Sequence, residues 1–210
     1  DDLFLEGLHK LIDLDRDWVQ SGVGNSLYIR PFIFASEACV QAYPAKEYRI
    51  MIICTPVSSY YSSGEVRVKI ADHFSRAPQG GTGYAKAAGN YAGQFYPTQL
   101  AIDEGYQQII WTDAATHQYI EEAGTMNLFF YIGDKLITAP TSDSILDGVT
   151  RKSVIELAKD RGIQVETRQL TVAQLIEAAE NKTLREIFGS GTAVVILPIH
   201  GFGYLGKDYD

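Results

Sequence analysis

The sequence predicts a mixed α/β (α+β) chain in two parts. Some segments carry apolar residues at helical spacing, and others are short runs of apolar and β-branched residues. The Gly133-Asp134 step marks a tight hairpin between two such runs, so antiparallel strands sit beside helical crossovers and a purely doubly wound sheet is excluded. Composition also shifts sharply over residues 78–93, which hold five glycines and four alanines. That shift places the one domain boundary near residues 62–78.

Leu3, Phe4, Leu8, Leu11 and Ile12 predict an amphipathic helix over 2–15. Beyond the turn cluster Gly22 to Ser26, residues 27–35 and 49–57 read as strands, and 66–70 as a short alternating one. Residues 90–104 read as a helix that Pro97 should end or kink, unless it sits in the first turn. Strands are expected at 109–111, 126–132, 135–138 and 193–199. Helices are expected at 149–160, ended by Gly162, and at 172–180, capped by Thr171. Nothing after Tyr204 reads as a closing element.

With 210 residues, 46% of them hydrophobic, the chain can bury a real core. Eighteen basic against twenty-six acidic residues give a net charge of −8, which argues against nucleic-acid binding. No apolar run approaches the roughly 20 residues of a membrane helix, and no signal-peptide pattern opens the sequence. Two cysteines fit a reducing compartment, so a cytoplasmic location is expected. The four histidines have no metal-ligand spacing, and no metal site is expected.

Four segments could carry chemistry. Gly80-Gly81-Thr82-Gly83-Tyr84-Ala85-Lys86 resembles a phosphate loop, but Ala85 stands where a P-loop needs glycine, and Lys86 where a dinucleotide fingerprint needs one. What survives is a lysine among small residues, open to the desolvation that a Schiff-base amine needs. Taken alone, the segment suits a surface lysine behind a mobile loop better. Glu121-Glu122 precedes a Gly-Thr turn into an apolar strand. A buried carboxylate there could hold a protonated ring nitrogen, although an exposed acidic pair is the simpler reading in isolation. Asp147-Gly148-Val149-Thr150-Arg151 opens a helix whose free N–H groups suit an anion. Asp147 as its N-cap would stabilise the helix but repel a phosphate. Gly189-Ser190-Gly191-Thr192-Ala193 is a second possible nest of N–H groups.

The order of these motifs closely resembles the branched-chain amino acid aminotransferases, fold-type IV enzymes that use pyridoxal 5′-phosphate. Arg76, the glycine loop with Lys86, Gly89-Asn90-Tyr91, Glu122 to Asn127, Gly148 to Arg151 and Phe188 to Ala193 all match in sequence. So do Ser26 to Pro31 and Tyr60 to Gly64, which extends the likeness from about residue 12 to 204. The resemblance implies that Lys86 forms the Schiff base and moves the proton between Cα and C4′. It implies that Glu122 pairs with the pyridinium nitrogen and Tyr91 with the phenolic oxygen. Arg76, Val149, Thr150 and Thr192 would hold the phosphate, and Thr125 and Ala193 the substrate carboxylate. Tyr28, Arg30 and Tyr60 would line the side-chain pocket. The donors would be leucine, isoleucine and valine, the acceptor 2-oxoglutarate, and the assembly a homodimer or larger.

By the same resemblance, residues 1–62 would be the C-terminal part of a small domain, 63–77 an interdomain linker, and 78–210 a large cofactor-binding domain without its last elements. Val194 and Leu197 stand where mammalian relatives carry a Cys-x-x-Cys, so no thiol switch is expected. D-amino acid aminotransferases and aminodeoxychorismate lyases of the same fold type would share Lys86 and Glu122. A phosphate-binding module without covalent chemistry is the remaining alternative.

Overall fold

A computed structural model describes residues 2–58 and 66–210. The chain divides into two compact units, Asp1–Ser62 and Ser63–Asp210. The first holds helix α1 (Asp2–Asp15), a 3-10 turn at Arg16–Trp18, and an antiparallel hairpin of β1 (Ser26–Ala35) and β2 (Tyr48–Val57). No described residue of this unit is buried. Phe32, Ile33, Ile50 and Ile53 on the hairpin are all exposed.

The second unit is built on an eleven-stranded mixed sheet. Its elements are β3 (Arg67–Ile70), α2 (Ala88–Asp103), β4 (Gln108–Thr112), β5 (Tyr119–Ala123), β6 (Asn127–Ile132), β7 (Lys135–Thr138) and α3 (Val149–Asp160). Then follow β8 (Gln164–Thr167), β9 (Leu170–Thr171), α4 (Val172–Glu180), β10 (Leu184–Gly191), β11 (Val195–Ile199), β12 (Gly201–Tyr204) and β13 (Lys207–Tyr209). The main path runs β11-β10-β6-β5-β4-β3-β12-β13, with β7 beside β6 and β8, and β9 beside β5. The pairs β3–β4, β3–β12 and β7–β8 are parallel, which makes the class mixed α/β, as the sequence predicts.

Two apolar clusters fix the helices to this sheet. Phe129, Leu136 and Ala158 pack with Val154, Ile155 and Phe188, and the Phe129 and Phe188 rings stack 5.0 Å apart, so α3 lies over β6, β7 and β10. Ala71, Ile109 and Trp111 meet Ala101 of α2. Burying a large apolar side chain contributes about 1.5–3 kcal/mol, so these contacts dominate the placement of both helices.

The short alternating strand expected at 66–70 forms as β3, with Val68 and Ile70 fully buried between β12 and β4. Other expectations are corrected. Pro97 does not end α2 but lies inside it and is buried. The carbonyl that its ring displaces, four residues earlier, belongs to exposed Gly93 and can turn toward water. The strand expected from Ala193 begins at Val195, because residues 192–194 form the turn from β10. Gly189 and Gly191 belong to β10, where space requires them: a β-carbon on Gly189 would lie 2.5 Å from the Met126 Sδ. The residues after Tyr204, where no element is expected, form β13, joined to β12 by a hairpin turn that puts Leu205 and Gly206 at φ +48° and +76°.

Helix α4 begins with a reciprocal cap. The Thr171 hydroxyl accepts the Gln174 N–H at 3.0 Å, and the Gln174 side chain accepts the Thr171 N–H at 3.1 Å. Thr171→Ala should therefore cost about 1 kcal/mol, read as a lower urea midpoint at unchanged slope. Thr171→Ser should restore most of it.

Candidate active site

Three loops and one helix end converge around Glu122. This residue lies in β5 and turns inward, with its side chain only 5% exposed. The Arg76 guanidinium, equally buried, meets Glu122 Oε1 at 2.7 Å. Arg76 also donates to the Ser144 carbonyl at 2.8 Å and the Gly83 carbonyl at 3.2 Å. One guanidinium thus joins the glycine loop, the segment before α3 and the β5 carboxylate. Oε2 of Glu122 accepts the Asn127 side-chain amide at 3.0 Å and the Leu146 N–H at 3.2 Å. Burial pushes the Glu122 carboxyl up to about 7 from its ordinary 4.5; Arg76, the Leu146 N–H and Lys86 pull it down, and Glu121 pushes it further up. Burial likewise raises Glu121, to which the Ser144 hydroxyl donates a hydrogen bond.

The glycine loop is pinned, contrary to the mobile loop that composition allows. Asn90, buried in the first turn of α2, donates to the carbonyls of Thr82 and Ala85 at 2.7 and 2.9 Å and accepts the Thr82 hydroxyl at 2.9 Å. The Tyr84 N–H reaches the Asp143 carbonyl at 2.9 Å. Gly83 is buried so close to Ala77, Asp143 and Ser144 that a β-carbon there would lie 2.6 Å from the Ser144 Cα. Lys86 follows this braced segment and is exposed rather than desolvated, with Nζ 5.6 Å from the centre of the half-buried Tyr91 ring.

Helix α3 presents its start without a side-chain cap. Gly148 is the N-cap, and Asp147, expected there, instead pairs with Lys152 Nζ at 2.7 Å. The N–H groups of the first turn, Val149 and Thr150 included, have no partner within the helix. Val149 is exposed and Thr150 half-buried. Thr125 and the Thr192-Ala193 turn, all exposed, lie at one end of the sheet because β6 pairs with β10. Gly191 comes within contact range of the Thr125 carbonyl.

The expected residues therefore fall into three groups. Arg76, Lys86, Tyr91 and Glu122 are linked by contact or charge, and Val149 and Thr150 join them through Asn127 and Gly148. Thr125, Thr192 and Ala193 form neighbouring turns. Arg76 departs from its expected place on a phosphate, since its guanidinium is committed to Glu122 and two carbonyls. Tyr28 and Arg30 are described in the first unit, where the Arg30 guanidinium lies 4.9 Å from the Tyr28 ring centre and donates to its hydroxyl at 2.6 Å. Tyr60 lies outside the described residues.

Sequence reasoning missed the role of Asn127. The signal was strand β5, hidden by its acidic content. Once residues 119–123 are read as a strand, the Gly124-Thr125 turn puts Asn127 opposite Glu122. Ser190 was also missed: it is paired with Asn127, is 1% exposed, and among the described residues its hydroxyl has no partner. An apolar cleft of about 280 Å³ between α3 and the sheet, lined by Tyr131, Leu157 and Phe188, holds none of the candidate residues.

No described helix is long and apolar enough to cross a membrane, and no metal-binding cluster occurs among the described residues. The sequence matches the family described as amino-transferase class IV over residues 2–202. It is 44% identical over 207 residues to the probable branched-chain-amino-acid aminotransferase of Staphylococcus aureus (strain N315), covering 97% of this chain and 58% of that protein. The branched-chain amino acid aminotransferase of Escherichia coli superposes with a TM-score of 0.72 at 31% identity, over 84% of this chain and 57% of that one. The T.th. branched-chain amino acid aminotransferase complexed with N-(5′-phosphopyridoxyl)-L-glutamate superposes with a TM-score of 0.67 at 26% identity, over 82% of this chain and 54% of that one. The chain thus spans less than two thirds of the length of these relatives. On the match of nearly its whole length, this chain belongs to the class IV aminotransferase family.

Proposed function

We propose that this chain carries the cofactor site of a pyridoxal 5′-phosphate enzyme that transaminates leucine, isoleucine and valine with 2-oxoglutarate. The enzyme would act in the cytoplasm as at least a homodimer. The observation that carries the reading is the buried Glu122 carboxylate, held by Arg76 and joined through Asn127 to the open start of α3. Those residues fit the cofactor at both ends. The Glu122 carboxylate would take the ring nitrogen, the free N–H groups of α3 the phosphate, and Lys86 would supply the primary amine. The relatives' names and the phosphopyridoxyl ligand of the T.th. enzyme support the same choice.

Bound there, pyridoxal 5′-phosphate supplies an electron sink for the electrons left when the substrate's α-proton departs. The chain's own residues do the rest. Glu122, poised near ionisation between burial and the Arg76 charge, would be held as a carboxylate by a protonated ring nitrogen and would keep that proton in place. Val149, Thr150 and Thr192 grip the phosphate through N–H and hydroxyl donors, so the reacting carbon is fixed against Lys86. Lys86 would serve as the acid–base group of the reaction, its Nζ taking the substrate's α-proton and giving it back. Tyr91, beside Lys86, orients the phenolic oxygen. Thr125 and Ala193 offer N–H groups to the substrate carboxylate from neighbouring turns.

Two measurements test this. With pyridoxal 5′-phosphate added, the protein should gain a visible absorbance band that Lys86→Ala lacks, and glutamate formation from leucine should fall at least about a hundredfold in the variant. A band and turnover that survive Lys86→Ala would refute the reading, and preference for D-alanine would move it to the D-amino acid branch. The second concerns Glu122 in the protein without cofactor. Its folded pKa of about 7 exceeds its ordinary 4.5, so the folded state binds a proton that the unfolded state has already lost. Stability from this group is complete below about pH 4.5 and is lost as pH rises through about 7. Wild-type melting temperature should fall across that window relative to Glu122→Gln and run parallel to it above. Parallel curves throughout would show that Glu122 titrates as an ordinary carboxylate.

A further inference from the structure

Asn127 is 6% exposed and uses both amide hydrogens. One goes to Glu122 Oε2 at 3.0 Å, the other to the Leu146 carbonyl at 2.9 Å. Both partners are acceptors, so the amide can face them only with its nitrogen. Its oxygen then lies against Gly148, where a β-carbon would overlap it. Leu146 returns its own N–H to the same Glu122 oxygen at 3.2 Å and accepts the Gly148 N–H at 2.9 Å. The contacts close a ring from the β5 carboxylate, through one planar amide, to the N-cap of α3. The position is also rigid from below, since Asn127 pairs with Ser190 while Phe129, two residues on, stacks on Phe188 beneath α3.

We propose that Asn127 is a positioning residue that sets the distance between Glu122 and the start of α3. A ligand with a ring nitrogen at one end and a phosphate at the other then meets both partners without rearrangement. This rests on the reading of the site as a pyridoxal phosphate site. Asn127 need not touch the ligand. Its two donors sit on one rigid planar group, so the carboxylate and the helix start move together or not at all. Each end keeps its own donors when the amide is removed: Glu122 retains Arg76 and the Leu146 N–H, and α3 retains its free N–H groups. What is lost is the agreement between the ends, which is worth most to a ligand that spans them.

The test uses three non-covalent probes on the whole chain: pyridoxamine 5′-phosphate, pyridoxamine and inorganic phosphate. Dissociation constants are measured by calorimetry for wild type, Asn127→Ala and Asn127→Gln, with melting temperature and circular dichroism as checks of folding. In both variants the spanning ligand should bind at least tenfold more weakly, while the two half-ligands stay within about twofold of wild type. The glutamine variant keeps the donors on a longer arm, so it carries the test should the alanine variant fail to fold. A parallel loss for all three probes would overturn the proposal in favour of a merely structural role, and unchanged affinity for the spanning ligand would overturn it outright. If wild type fails to bind pyridoxamine 5′-phosphate, the reading of the site itself falls, an outcome distinct from either.

Discussion

The second unit of this protein is organised around one buried ion pair, Arg76 with Glu122. A carboxylate out of water is costly unless a cation and further donors replace its hydration. Here the replacements come from three separate segments: Arg76 before the glycine loop, Asn127 in β6, and the Leu146 N–H before α3. Each segment is therefore tied to the same point. The chemistry a cofactor would need and the contacts that hold the loops in place are the same contacts.

This explains why so much irregular backbone is rigid. Residues 76–86 contain three glycines and would move freely in isolation. Yet Arg76 binds the Gly83 carbonyl, Asn90 binds those of Thr82 and Ala85, and Gly83 is wedged beside Ser144. Lys86 projects from that frame while remaining exposed. The loop is fixed and the lysine arm is free, a division suited to a group that must move a proton between two atoms of a held ligand.

Helices α1, α3 and α4 were legible because their apolar spacing, the Thr171 cap of α4 and the Gly162 stop of α3 agree with one another. Lys86, Glu122 and the α3 start were legible as motifs. Their company was not, because it depends on pairing across strands. Strand β5 reads as a polar stretch, so Asn127 could not be seen to face Glu122. The glycines of β10 look like a loop, although in space they admit Met126 and the Thr125 carbonyl. The commitment of Arg76 to Glu122 rather than to a phosphate likewise comes from tertiary geometry that no local spacing encodes. The β12–β13 hairpin was missed because leucine rarely takes the left-handed conformation that Leu205 adopts.

Burial leaves Glu122 at the edge of ionisation in the bare protein, where a cation brought by a ligand would turn it into a carboxylate. Infrared difference spectroscopy of wild type against Glu122→Gln reads this directly through the carboxylate stretch, titrated with and without pyridoxamine 5′-phosphate. The midpoint should lie near 7 in the bare protein and move to lower pH once the ligand is bound. A midpoint that stays in place when the ligand binds would contradict this.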